Sequence, residues 1–294
     1  MKITQISHYK LPVKNYGGIQ RIIEWLSKAL VQLGHTVYLV SQKGTDIPGT
    51  ILIPTPKNVT DYTPYIPHDT DVVHYHSTPL VFPDKPFLVT IHGNGKPDEK
   101  FLPNTVFLSR NHAARHDSNR YVYNGIDPDE FIYKDNKDDY ILFLSKVSRS
   151  IKGVDTAVEL AKKLNFKLII AGGRRLNFRK NIKYVGEVDG RDKAILLAGA
   201  KALLFPIRWK EPFGLVVTEA HISGTPVITT NWGAMPELVP EDVGYRCDSI
   251  DELAHAIESI ERISPSNCRK WALQNFTSEV MARSYLREYE NLIR

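Results

Sequence analysis

Cysteine is nearly absent. Cys247 and Cys268 are the only two in 294 residues, too few for a disulfide framework or a cysteine-built zinc site, so both read as ordinary thiols. Long apolar runs are missing as well: nothing approaches the roughly 18 consecutive apolar residues of a membrane span. The opening Met1-Lys-Ile-Thr-Gln-Ile-Ser7 lacks the unbroken apolar centre of a secretory signal. The expected location is therefore the cytoplasm, up to the inner face of a membrane. There is no Gly-x-Gly-x-x-Gly, so a bound dinucleotide is not supported, and no nucleic-acid motif accompanies the basic residues.

What is present is an ordinary globular composition, 42% hydrophobic and 24% charged, which removes the disordered and collagen-like classes. The length suits about two domains, each with its own core. A net charge of +5 fits an anionic ligand or an anionic surface. The densest basic run is Arg174-Arg-Leu-Asn-Phe-Arg-Lys180, with Lys183 just beyond. It reads either as a solvated loop or as a contact for phosphates or anionic lipid headgroups, the latter a peripheral membrane contact.

Along the chain, strand-like and helix-like segments alternate. Lys2 to Ser7 reads as a strand; Gly17-Gly18 then opens an amphipathic helix whose apolar positions Ile19, Ile22, Ile23, Leu26 and Leu30 keep helical spacing until Gly34. Val37 to Val40 follows as a second strand. Further strand-like pieces recur at Thr50 to Ile53, Asp71 to Tyr75, Phe87 to Ile91, Val106 to Leu108 and Arg120 to Tyr123, and the stretch from Pro54 to Pro67 reads as irregular loop. Residues 127–139, dense in acidic side chains, have the look of a linker. A second set follows, with strands at Tyr140 to Leu144, Phe166 to Ala171, Lys183 to Val185 and Ala202 to Phe205, and helices over Val154 to Leu164, Asp192 to Ala200, Asp251 to Ile263 and Thr277 to Arg294. Such alternation means parallel sheets covered by helices, with ligands at the carboxyl ends of the strands.

Two metal patterns occur, Asp69-Thr-Asp71 and the pair His74 and His76 on one side of a strand. Three residues of pattern carry little information, and no metal is expected.

The most informative stretch is Trp209-Lys-Glu-Pro-Phe-Gly-Leu-Val-Val-Thr-Glu-Ala220, followed by His221-Ile-Ser-Gly-Thr-Pro-Val-Ile-Thr-Thr230. Pro212 disfavours helix at the residue before it, so Glu211 belongs to a loop and the helix begins near Gly214 or Leu215. Glu219 then rides on that helix, and Gly224 ends it. Two carboxylates thus flank one helix start, where backbone amides and the dipole make an anion site that Gly214 leaves open to close approach. A diphosphate is the natural guest.

This string, together with Gly233-Ala-Met-Pro-Glu237, resembles the signature of family 4 of the retaining, nucleotide-sugar-dependent glycosyltransferases. The resemblance implies an α/β GT-B fold: two Rossmann-like domains with parallel sheets facing a central cleft. The expected division is an acceptor-side domain over residues 1–135, a nucleotide-sugar-binding domain over 136–276, and a last helix over 277–294 that crosses back onto the first. The resemblance is dense from about Tyr140 to Gly244. Before that it rests on Gly17-Gly18, His92-Gly93 and Asn124-Gly-Ile-Asp127, in an N-terminal half short for the family, where acceptor-binding segments are expected to be reduced.

The resemblance also implies roles. Glu211 would hold sugar hydroxyls near the anomeric carbon, His92 would contact the donor sugar, and Lys152 would grip the diphosphate, these three forming the catalytic set. Gly17 and Gly18 would bring backbone close to the donor phosphates. Lys146 stands where the family has arginine, in Ser145-Lys146 instead of Gly-Arg, with Arg149 an alternative cation; Lys152-Gly153 matches the family. The amides of Phe213, Gly214 and Leu215 would meet the phosphates, Glu219 the two ribose hydroxyls, and the backbone at Gly172, Val185 and Gly186 the base. The donor would be a UDP- or GDP-type sugar, with no further cofactor, and the acceptor a glycan, a lipid-linked sugar or a small molecule. The reaction would be metal-independent transfer of a hexose with retained anomeric configuration. Three other readings remain: a glycosidase using Glu211 and Glu219 as acid and nucleophile, an epimerase of the same fold, and a non-catalytic sugar-nucleotide-binding subunit.

Overall fold

The computed structural model describes residues 1–13, 17–96 and 98–294. The chain divides into two compact units, the first made of Met1–Ile126 with Phe276–Arg294, the second of Asp127–Asn275. The second unit begins at Asp127, so the acidic stretch expected to be a linker is part of a folded body. Phe131 and Tyr140 are buried there, and the Lys137 ammonium donates to the carbonyls of Ala198 and Ser223.

In the first unit the elements are β1 (Lys2–Ile6), α1 (Gly18–Gln32), β2 (Thr36–Gln42), β3 (Ile51–Thr55), β4 (Val72–Tyr75), β5 (Phe87–Thr90), β6 (Thr105–Val106) and α2 (Arg110–Ala114). The six strands form one parallel sheet in the order β3-β2-β1-β4-β5-β6. All four residues of β4 are buried, as expected for a strand covered on both faces. Leu11, Ile23, Leu39 and Ile47 cluster in one part of the core, and Ile6, Val40, Val73, Tyr75 and Val89 in another. The strand expected at Arg120 to Tyr123 is not one: only Tyr121 bridges, to Phe107.

In the second unit the elements are β7 (Ile141–Leu144), α3 (Val154–Leu164), β8 (Leu168–Ala171), β9 (Ile182–Gly186), α4 (Gly190–Gly199), β10 (Ala202–Phe205), α5 (Leu215–Ile222), β11 (Val227–Thr230), α6 (Met235–Leu238), β12 (Gly244–Cys247), α7 (Ile250–Ser259) and α8 (Pro265–Asn275). Its sheet is again parallel, in the order β12-β11-β10-β7-β8-β9. Ile141, Phe143, Leu168 and Ile170 alternate onto one face, where they meet Ala157 and Leu160 of α3 and Leu253 and Ile257 of α7. The last helix, α9 (Ser278–Ile293), packs on α1 of the first unit and buries Tyr285 and Tyr289 there. Among the described residues no helix is long and apolar enough to cross a membrane.

In each unit the chain builds outward from a central strand in one direction and then returns to build in the other. The reversal falls between β1 and β4 in the first unit and between β7 and β10 in the second. At such a point the connections leave in opposite directions and open a crevice at the carboxyl ends of the strands.

Candidate functional site

In the second unit the reversal places the loop after β7 beside the loop after β10. Backbone contacts hold the first loop, with the Arg175 guanidinium on its Val147 carbonyl. Val147 donates its amide to Gly172 O at 3.0 Å, and a Cβ on Gly172 would lie 2.1 Å from Ser145 O, so only glycine fits there. Gly172 in turn donates to Gly186 O at 2.7 Å, so Ser145-Lys146, Gly172 and the end of β9 at Val185-Gly186 form one backbone-lined edge.

The loop then turns through Ser150–Lys152 and passes Gly153, whose φ is 83° and whose Cβ would sit 2.0 Å from Pro206 O. That contact fixes Lys152 against the exit of β10. Its ammonium donates to Glu211 Oε2 at 2.5 Å and lies 4.5 Å from the centre of the Trp209 ring. The Trp209 indole donates to the same oxygen at 2.8 Å. Both donors converge on Oε2, and among the described residues no group donates to Glu211 Oε1. The backbone of Glu211 is clamped from behind: Ala234 donates to Glu211 O at 3.0 Å, and a Cβ on Gly233 would lie 2.3 Å from Glu211 N. The Gly233-Ala-Met-Pro-Glu237 segment thus acts as a backbone support for the carboxylate.

Three residues on, Gly214 adopts φ 106° and starts α5, which has no side-chain cap and no acidic residue in its first turn. Its N-terminus therefore keeps the positive end of the helix dipole without a built-in anion. Glu219 lies one turn further along and is 6% exposed. The Lys193 ammonium on α4 donates to its Oε1 at 2.7 Å and stands 5.5 Å from the Phe131 ring centre. Lys193 was not legible as a site residue, because nothing in the spacing shows that α4 and α5 are neighbours. Trp209 stood in the motif, but its indole bond to Glu211 depends on the loop conformation.

The first unit holds the other candidates. Gly17 precedes α1 with an extended backbone, Gly18 opens the helix, and α1 has no side-chain cap. His92 follows β5 and pairs its Nε2 with His76 Nδ1 at 3.0 Å, the two rings stacked 5.3 Å apart. Burial lowers His92 to about 4 and holds His76 and His74 well below the ordinary imidazole range, so all three rings are neutral at pH 7. The suspected metal patterns are otherwise engaged. Asp69 accepts from Lys2 and Tyr38, and Asp71 from the Lys2 amide. Among the described residues no group of three or more His, Cys, Asp or Glu side chains is placed to hold a metal ion.

In the basic loop, Arg175 is tied to Asp155 and to the Val147 carbonyl. Asn177 turns inward and donates to the carbonyls of Arg179 and Ile182. Its neighbours Leu176 and Phe178 are 87% and 89% exposed.

Residues 127–274 match the family described as glycosyl transferases group 1. Among curated relatives, the N-acetyl-alpha-D-glucosaminyl L-malate synthase of Bacillus anthracis is 26% identical over 169 residues, covering 51% of this chain and 44% of that protein. The first curated relatives are matched over less than half of their own length. Among solved structures, AviGT4, a glycosyltransferase involved in avilamycin A biosynthesis, is 26% identical with a TM-score of 0.81, covering 99% of this chain and 98% of that one. Anabaena HepE in complex with UDP-glucose is 16% identical with a TM-score of 0.68, covering 99% and 100%, and shares the fold. Two six-stranded parallel sheets with alternating helices, as in these glycosyltransferases, make the fold GT-B.

Proposed function

The chain belongs to the glycosyl transferases group 1 family, and from that premise we propose that it is a retaining, metal-independent transferase of family 4 that moves a hexose from a nucleotide-diphosphate sugar to an acceptor hydroxyl. The observation that carries the reading is the Glu211 carboxylate at the crevice between β7 and β10: Lys152 and Trp209 hold one oxygen, no group among the described residues donates to the other, and an uncapped helix start lies three residues away. A neutral glycoside has no use for a cation and a helix dipole beside its carboxylate, whereas a leaving diphosphate has. The UDP-glucose bound by the Anabaena neighbour favours the uridine form of the donor over the guanosine form.

In this reading the bond from the anomeric carbon to the diphosphate oxygen breaks while the acceptor oxygen bonds to the same face of that carbon. The acceptor's proton passes to the departing phosphate oxygen, and a nucleoside diphosphate leaves. Negative charge grows on the diphosphate. Lys152, Lys146 and the amides of Phe213, Gly214 and Leu215 meet it, each charge-assisted bond contributing about 1.5 to 3 kcal/mol. Glu211 Oε1 accepts a sugar hydroxyl, His92 touches the same sugar, and Gly17 and Gly18 allow the phosphates close to backbone. Glu219, oriented by Lys193, holds the ribose, and the edge of Gly172, Val185 and Gly186 frames the base.

The test is a thermal-shift series with UDP, GDP and their sugars, since a ligand selective for the folded state raises the melting temperature. A shift with one nucleotide family that is lost in both Glu219→Ala and Lys152→Ala supports the site. A shift of the same size in both variants removes it.

The same reading places the protein on the cytoplasmic side, touching anionic lipid through residues 174–180, because exposed Leu176 and Phe178 stand among Arg174, Arg179 and Lys180. Co-sedimentation with vesicles containing phosphatidylglycerol, weakened by salt and by Leu176→Ser with Phe178→Ser, checks this. Equal binding by the double variant removes it.

A further inference from the structure

The last four carbonyls of a helix have no partner within it, yet in α4 each has one. Tyr140 donates its hydroxyl to Leu196 O at 2.9 Å, the Thr225 hydroxyl donates to Leu197 O at 2.5 Å, the Lys137 ammonium to Ala198 O at 2.9 Å, and the Asp138 amide to Gly199 O at 2.8 Å. Lys137 and Asp138 belong to the acidic stretch that the sequence presents as a linker.

Lys137 does more than cap one helix. The same ammonium donates to Ser223 O, just past the end of α5, and to Thr225 Oγ1, both at 3.1 Å. An ammonium has three N–H donors and no lone pair, so the sense of these bonds is fixed: the carbonyls only accept, and the Thr225 hydroxyl has given its own proton to Leu197. Burial lowers Lys137 to about 8, and the charged form still prevails at pH 7. Ser223, held by its carbonyl, is fully buried, and its hydroxyl donates to Glu219 O at 2.9 Å.

Two rungs therefore join α4 to α5. One is the Lys193–Glu219 pair, the other the Lys137 ammonium. The rungs are five residues apart on α4, from Lys193 to Ala198, and four apart on α5, from Glu219 to Ser223. At about 1.5 Å per residue that is roughly 6 to 7.5 Å on either helix. The helices run side by side in the same direction, so a slide that opens the Lys137 rung also draws Lys193 from Glu219. The ammonium stands where two helix C-termini present their negative dipole ends, a place that favours a cation.

We infer that Lys137 is a positioning residue for the nucleotide: its ammonium locks the end of α4 to the end of α5 and so holds the Glu219 carboxylate where it accepts from the ribose hydroxyls of the donor. The clamp follows from the geometry of this chain alone; the ribose rests on the glycosyl-transfer reading above.

The experiment compares UDP with 2′,3′-dideoxy-UDP by calorimetry at pH 7 on the full chain, or the corresponding guanosine pair where the wild type selects it. The wild type is expected to prefer the ribose form at least about tenfold, the weight of one hydrogen bond to a charged group. In Lys137→Met the preference should shrink to within about twofold, through weaker binding of the ribose form with the dideoxy form unchanged. Lys137→Arg, which keeps the charge and the donors, should restore most of it. A merely structural role would weaken both ligands alike; that result, or an undiminished preference in Lys137→Met, overturns the inference and leaves the glycosyl-transfer reading standing. Where Lys137→Met does not fold, hydrogen exchange in the wild type decides, because coupling between two sites is reciprocal. The ribose form should slow exchange of the amides of residues 196–199 and 221–225, and the dideoxy form should not; protection by both alike, or by neither, overturns the inference. Equal binding of the two forms by the wild type removes Glu219 from the ribose and overturns it as well. Wild-type protein that binds neither UDP nor GDP sinks the functional reading itself, and the inference with it.

Discussion

Replacing Lys193 by Met should leave Glu219 as a nearly buried carboxylate without a partner. The pair spans 2.7 Å, and its side chains are 13% and 8% exposed, so neither charge has much water to fall back on. Removing one member of a buried pair costs about 3 to 5 kcal/mol. Residual exposure and the nearby Phe131 ring, which would pack well against Met, place Lys193→Met near the lower end, about 3 kcal/mol. Glu219→Leu should cost a similar amount, because it strands the ammonium. The double variant puts two apolar side chains in contact and should cost about 1 kcal/mol or less, since replacing a buried pair by apolar residues is often close to neutral. The coupling from the cycle is then several kcal/mol. Urea unfolding followed by tryptophan fluorescence is the assay, because Trp209, Trp232 and Trp271 all lie in the second unit and only Trp25 in the first. Effects that add to within about 0.5 kcal/mol would refute the reasoning, showing the contact to be a solvated pair of no consequence.

His221 is fully buried in α5 and burial lowers it to about 3, while His112 is lowered to about 3 and His92 to about 4, mainly by burial. The unfolded chain takes up protons near pH 6.5 and the folded chain does not, so this stability is complete above pH 6.5 and falls as pH drops toward 4; urea midpoints should decline across that window, less steeply in His221→Met. Gly153→Ala should prevent normal folding of the second unit or cost more than about 2 kcal/mol, since the methyl meets Pro206 O at 2.0 Å from a backbone with φ 83°; a variant with wild-type Tm would contradict this. Trp209→Phe keeps the ring under Lys152 and removes only the indole N–H on Glu211, so kcat should fall about tenfold with UDP affinity retained, and a loss confined to UDP binding would contradict the placement of Glu211 on the sugar.

Elements bounded by strong punctuation were legible to the residue. α3 begins after Gly153 and ends before Asn165, which takes a left-handed φ of 55°, and β10 is a short apolar run. Segments whose partners lie far away in sequence were not legible. α8 buries only Cys268 and Ala272 and has too thin an apolar stripe to show a period, and β12, Gly-Tyr-Arg-Cys, is recognisable only by its pairing with β11. Tyr121-Val-Tyr123 has the right composition for a strand but only a single bridge to Phe107 beyond the sheet edge. The candidate site divides the same way. Glu211, Gly214 and Lys152 stood out because a loop, a helix start and a glycine turn leave local marks, whereas Lys193 matters through Glu219, a neighbour that only the packing of α4 beside α5 brings alongside.

The central claim is that the crevice between β7 and β10 is a diphosphate site, and the position of the nucleotide in crystals grown with UDP tests it most directly. The account predicts the diphosphate within hydrogen-bond distance of Lys152 and of the amides that open α5, with the ribose hydroxyls on Glu219. A diphosphate held elsewhere, with the Lys152–Glu211 pair untouched, would contradict it.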